Sequence, residues 1–149
     1  MQNAKDITLR LLIVDDSAEN AEAIVSTLRN SGIAVRPLRP QSPDELSQAL
    51  GGQPIDLVLA ANSYVIPQAL LTQQVAASGK DIPMIQLVDH VDVQLLIDAA
   101  ANGIRAVAVR QQPDHLLSVL RNEWTDLQAR RGLRRIEARR LQHTFERGD

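Results

Sequence analysis

Two adjacent acids, Asp15 and Asp16, close the apolar run at residues 8–14, TLRLLIV. Paired carboxylates in that position can contribute oxygen ligands to a hard divalent cation. They can equally favour the start of a helix, where the first turn attracts negative charge. Three later apolar runs also end abruptly. DLVLAAN, at residues 56–62, finishes on Ala60, Ala61 and Asn62, where a site of chemistry would place a charged or nucleophilic side chain. PMIQLVD, at residues 83–89, finishes on Val88 and Asp89, and AVAV, at residues 106–109, runs into Arg110. Asp89 has two readings, a substitute cation ligand or an acid at the start of the next helix. Ser63 and Tyr64 follow the alanines with nothing beside them to activate either. His90, His115 and His143 share no metal-ligand spacing, and there is no cysteine to supply a thiolate. The sequence therefore offers no zinc site and no catalytic triad.

The elements that position these residues follow from periodicity. Residues 8–14 form a short, nearly continuous apolar run, as expected of a central parallel strand buried on both faces. Ser17 can cap a helix through about Ser31, with Ala21, Ile24, Val25 and Leu28 on one face and Gly32 as its stop. Residues 34–38 read as a second strand, demoted to an edge by Pro37. Ser42-Pro43-Asp44-Glu45 is a capping box with proline at the first helical position, and Gly51-Gly52 is expected to end that helix. The alternation then repeats. Strands are expected at 55–60, 83–87 and 106–109, and helices at 67–78, at 91–101 and from Pro113 onward. The predicted fold class is α/β: five strands and five helices in a doubly wound parallel sheet covered on both faces, with the last helix extended. Sites in such sheets form at the carboxyl ends of the strands, where all four interrupted runs end.

Composition narrows the function classes. A chain of 149 residues suits one main domain, since single cores are commonly built from about 100–150 residues. Its formal charge of −2 creates no global field toward nucleic acid or anionic membranes, and one Trp, one Tyr and one Phe serve base stacking poorly. No apolar run reaches the roughly 18–20 residues of a membrane span, and the amino-terminal residues lack the pattern of a secretion signal. A cytoplasmic location is expected, without cofactor.

At this point the chain resembles the receiver domains of bacterial two-component response regulators, over about residues 8–127. The resemblance rests on LLIVDDS, DLVLAAN, PMIQLVD and GIRAVAVRQQP, which occur in the right order at the ends of strands one, three, four and five. It implies a flavodoxin-like (CheY-like) fold. In active members the acid pair binds magnesium, an aspartate ending strand three accepts a phosphoryl group, a Ser or Thr ends strand four, and a Lys-Pro pair follows strand five. Here the acids correspond to Asp15 and Asp16, while the acceptor falls on Ala61, the hydroxyl residue on Val88, the Lys-Pro pair on Arg110-Gln111, and the aromatic switch residue on Val107. A register slip would place Asn62 at the acceptor position, and asparagine does not accept phosphate either. Ala61 has no nucleophilic oxygen. Two acids without a third ligand should hold magnesium only loosely, and Arg110 is expected to reach Asp15 or Asp16 and balance them without metal.

The resemblance thus implies a pseudo-receiver: a non-enzymatic regulatory and interaction module without a phosphorylation switch. Leu117, Leu120, Trp124 and Leu127 recur at spacings of three, four and three, and are expected to mix core burial with a helix seam that holds a homodimer. Residues 128–149 are expected to be a charged helical connector to a downstream module. The degenerate domains of multidomain cyclic-di-GMP signalling proteins with PAS, GGDEF and EAL modules, including the type that regulates type IV pili, are similar. Other signalling proteins or downstream domains are the expected partners. Six arginines between Arg130 and Arg140 are read as a solvated helix, with nucleic-acid binding the alternative. A working phosphorelay receiver that uses Asp89 or Asp16 is the main rival.

Overall fold

The structure is a computed structural model that describes residues 7–61, 63–104 and 106–147, the last stretch, 142–147, by backbone alone. Asn62 and the side chain of His143 lie outside the described residues. Strands β1 (Leu9–Val14), β2 (Val35–Leu38), β3 (Leu57–Ala60), β4 (Met84–Val88) and β5 (Ala106–Val109) alternate with helices α1 (Ala18–Asn30), α2 (Pro43–Gly52), α3 (Gln68–Ala77), α4 (Val93–Ala101) and α5 (Pro113–Arg147). All strand pairs are parallel, in the order β2-β1-β3-β4-β5. The expected doubly wound sheet is therefore the observed one. Pro37 lies on the edge strand, where its missing N–H breaks no inner ladder.

Side-chain alternation divides the core in two. Leu9, Leu11, Ile13, Leu57 and Leu59 face α1 and α5, while Leu12, Val14, Val58 and Ala60 face α2, α3 and α4. Because β1 and β3 are buried on both faces, nearly every residue in them must be apolar. Local signals fix the helix ends. Ser17 Oγ accepts from Asn20 N–H, and Gly32, at φ +87°, lets Ile33 N–H reach back to the Leu28 carbonyl.

Three expectations about helices need correction. Gly51 and Gly52 do not stop α2 but form its last turn, and Gln53 is its C-cap. Helix α4 begins at Val93, not Val91, because the Asp92 carboxylate caps it by accepting from Leu95 N–H at 2.7 Å. Asp89 lies too far upstream for that role. The seam expected on α5 is largely core: Leu120 and Leu127 are each 0% exposed, and Leu117 and Trp124 pack half-buried against the same cluster. The chain's own body already covers Leu120 and Leu127, so a partner helix cannot.

Beyond Leu127 the helix runs on without a break and stays attached to the body. Arg130 Nε lies 2.9 Å from Asp81 Oδ2, Arg134 bonds the same carboxylate, and Arg131 Nη1 lies 2.6 Å from Asp56 Oδ1. These three arginines are not simply solvated. Asp56 is the hub. The β1–β3 register pairs Leu11 with Leu57, which sets Arg10 beside Asp56 one residue earlier. The Asp56 carboxylate, 2% exposed, accepts from Arg10 N–H at 2.8 Å, Arg10 Nε at 3.1 Å and Arg10 Nη2 at 2.9 Å. Burial pushes its pKa up, but the bonds from Arg10 and Arg131 outweigh this and hold it below the usual carboxylate range.

Asp56→Ala should lose about 2–4 kcal/mol in urea unfolding, less than a fully buried pair because both arginines reach solvent. Since the folded pKa lies below the unfolded value of about 3.9, this stabilisation is complete above that value and fades as pH falls through the folded one. Asp56→Asn should therefore flatten the acid limb of the stability profile. Leu127→Ala should cost about 2–5 kcal/mol without changing particle mass in light scattering.

Candidate functional site

The crevice at the carboxyl ends of β1 and β3 is where the strand order reverses, and it gathers the interrupted runs identified above. Asp15 follows β1 directly and is 5% exposed. Its Oδ1 accepts from Ser17 N–H at 2.9 Å, which shapes the turn into α1, while Oδ2 faces Arg110 Nη2 at 3.5 Å. Arg110 enters from the end of β5, where its N–H donates to the Val88 carbonyl at 2.7 Å. Its Nε lies 3.4 Å from Asp89 Oδ1, so one guanidinium stands between a buried and an exposed carboxylate. Arg39 Nη1 donates to the Asp15 carbonyl at 3.1 Å and adds a second cation to the rim.

Asp16 points to other partners. Its carboxylate accepts from Ser63 Oγ and from Tyr64 N–H, both at 2.7 Å. These bonds, led by that from Tyr64 N–H, lower its pKa. Ser63 Oγ in turn accepts from Ile66 N–H at 2.9 Å. The second acid thus holds the loop after β3 in place. Sequence reasoning left Ser63 without a role, and its signal would have been a small hydroxyl in the loop facing an unpaired acid.

Ala61 extends the line of β3, and its N–H donates to the Val14 carbonyl at 2.8 Å. Its methyl group is half-buried against the core. Val88 ends β4 and pairs in register with Val109, and Val107 packs against the α2–α4 side of the core. At the ends of β3 and β4, Ala61 and Val88 therefore present aliphatic side chains. Magnesium fits poorly: the oxygens of Asp15 and Asp16 have separate partners, and no group of three potential ligands converges among the described residues. His90 and His115 are exposed surface residues.

No protein-family profile matches the chain, and no curated protein matches it in sequence. Solved structures match its architecture. The Vibrio cholerae chemotaxis protein CheY4 is 21% identical over 78% of this chain and 98% of its own, with a TM-score of 0.62. The signal receiver domain of a LuxO repressor protein from Vibrio parahaemolyticus is 12% identical over 85% and 98%, with a TM-score of 0.73. A pilus assembly-related protein from Burkholderia pseudomallei is 15% identical over 78% and 90%, with a TM-score of 0.64. The fold is that of a response-regulator receiver.

Replacing Arg110 by Ala should leave Asp15 buried without a counter-charge and cost about 1–3 kcal/mol. Millimolar magnesium should leave the urea midpoint of the unaltered chain unchanged but raise that of Arg110→Ala, because a cation can then take the vacated position.

Proposed function

We propose that the chain is a pseudo-receiver: a non-phosphorylatable regulatory module of bacterial signal transduction that acts in the cytoplasm through protein contacts rather than catalysis. One observation carries the reading. The position just after β3 holds the methyl group of Ala61, while Asp15, Asp16, Asp89 and Arg110 all have partners within the chain. A phosphoryl group finds no acceptor oxygen at Ala61, and Arg110 is already engaged by Asp15 and Asp89.

Exposed apolar surface supports the interaction role. Helix α4 buries only Ala99 and turns Val93, Leu96 and Ile97 outward, at 72%, 46% and 55% exposure, with Val91 beside them. A helix this apolar with its largest side chains in water has the features of a contact surface. For self-association through the last helix, the apolar side chains available are Leu133, Ile136 and Leu141, beyond the buried seam. Helix α5 spans roughly 50 Å at 1.5 Å per residue and leaves those side chains exposed even where Arg130, Arg131 and Arg134 hold it to the body, open to a second copy or a following module. The connection to cyclic-di-GMP and type IV pilus signalling rests on fold-level likeness, including that to the Burkholderia pilus assembly-related protein.

The test uses acetyl phosphate or beryllofluoride with magnesium, read by intact mass and by amide spectra. Neither reagent should form a stoichiometric adduct. An adduct on Asp89 or Asp16 would instead establish the phosphorelay reading. Leu133→Glu with Ile136→Glu should convert a dimer to a monomer in light scattering with the unfolding midpoint nearly unchanged, since both positions are exposed.

A further inference from the structure

The opposite, amino-terminal end of the sheet carries the reverse charge imbalance. A cleft of about 540 Å³ opens between the end of α2, the loop around Lys80 and the underside of α5. Arg10, Lys80, Arg131 and Arg134 line it, against one lining acid, Asp81, with Asp56 buried beneath. Asp56 takes Arg10 and Arg131, Asp81 takes Arg130 and Arg134, and Arg130 is also paired with Asp126, so three carboxylates face four arginines. Lys80 adds a fifth cation. Its Nζ donates to the Leu50 carbonyl at 2.6 Å, a neutral partner that leaves its charge uncompensated. In a chain whose formal charge is −2, this excess is local.

Geometry makes the excess usable. A guanidinium has five N–H donors, and Arg10, which lines the cleft, uses only two of its side-chain nitrogens on Asp56, so its Nη1 donors remain unused by that carboxylate. Gly51, Gly52 and Gly79 line the rim, and a Cβ built on any of them would meet nothing within 4 Å, so no side chain closes the cleft there. Buried Ile55 and Ile82 form an apolar floor that lowers the local dielectric beneath the cations. The lining holds no aromatic side chain to stack on a base, so recognition is confined to the charged group.

We propose that this cleft binds a diphosphate-type anion, either free pyrophosphate or the diphosphate of a nucleotide. Several planar donors set at different angles around one lysine suit tetrahedral oxyanions, which offer acceptors in several directions. Because Arg131 and Arg134 belong to α5 whereas Arg10 and Lys80 belong to the body, an occupant would fasten the extended helix to the sheet. The proposal is independent of the pseudo-receiver reading.

The test is a titration of the isotopically labelled full chain with pyrophosphate at constant ionic strength, followed by backbone amide shifts. The Gly51, Gly52 and Gly79 amides should shift saturably. Lys80→Ala and Arg134→Ala should each weaken binding about tenfold, whereas Arg36→Ala, a surface arginine on β2, should not. ADP binding no tighter than pyrophosphate identifies the free anion as the source, and ADP binding tenfold tighter identifies a nucleotide; either supports the site. Equal shifts with sulfate, tighter binding of a hexaglutamate peptide, an Arg36→Ala loss as large as that of Arg134→Ala, or saturable shifts elsewhere would overturn it. The shift map of the unaltered chain decides the question even where a variant unfolds.

Discussion

The Asp56 carboxylate is the constraint on which the arrangement turns, because three elements meet on it. Arg10 approaches from β1, the carboxylate itself opens β3, and Arg131 descends from α5. A single ionised acid in the protein interior is costly unless its lone pairs are filled, and here they accept from one backbone N–H and two guanidinium groups. That satisfaction is geometric as well as electrostatic. It requires the β1–β3 register that pairs Leu11 with Leu57, and it requires α5 to run on past Leu127 at a defined angle. A slip of one residue between β1 and β3 would leave Asp56 without Arg10.

The two ends of the sheet then differ in kind. At the carboxyl end, acids predominate and one arginine, Arg110, stands between Asp15 and Asp89 while Asp16 is occupied by its own loop. At the amino end, cations predominate over Asp56 and Asp81. The first arrangement is closed, with its principal charges facing partners within the chain. The second retains unused donors, so any response of this protein to an ionic ligand is more naturally sought there than at the strand tips.

Much of this was legible in the sequence, and the reasons are physical. Continuous aliphatic runs in β1 and β3 can only be strands buried on both faces, so the sheet and its order of elements were readable from pattern alone. Ser17 and Ser42 announced their helices because capping is local chemistry. The contents of the rim, Ala61, Val88 and Arg110, followed once the strand ends were placed. What escaped was long-range pairing. Asp56 sits one position before an apolar strand and Arg10 lies within another, and only the register brings them together. Likewise, the spacing of Leu120 and Leu127 describes a stripe but not what covers it, and the chain's own body proved to be the cover. Arg130, Arg131 and Arg134 looked like solvated charge because their acids lie about 50–75 residues away in sequence.

A switch needs two states of comparable free energy and a ligand that distinguishes them. At the carboxyl end of this sheet the acids already have partners within the chain. Asp15 is held by Ser17 and faced by Arg110, Asp16 is held by Ser63 and Tyr64, and the aliphatic Val88 and Val107 have no polar group that a new charge would redirect. The guanidinium of Arg110 fits the gap between these acids. A planar, always-charged fork can lie between Asp15 and Asp89, whereas a lysine ammonium is a compact point charge. The same residue that balances the acids therefore removes the reason for a cation to enter. Ion pairs internal to the chain thus tie the strand ends together, and exposed apolar side chains lie elsewhere, on α4 and α5.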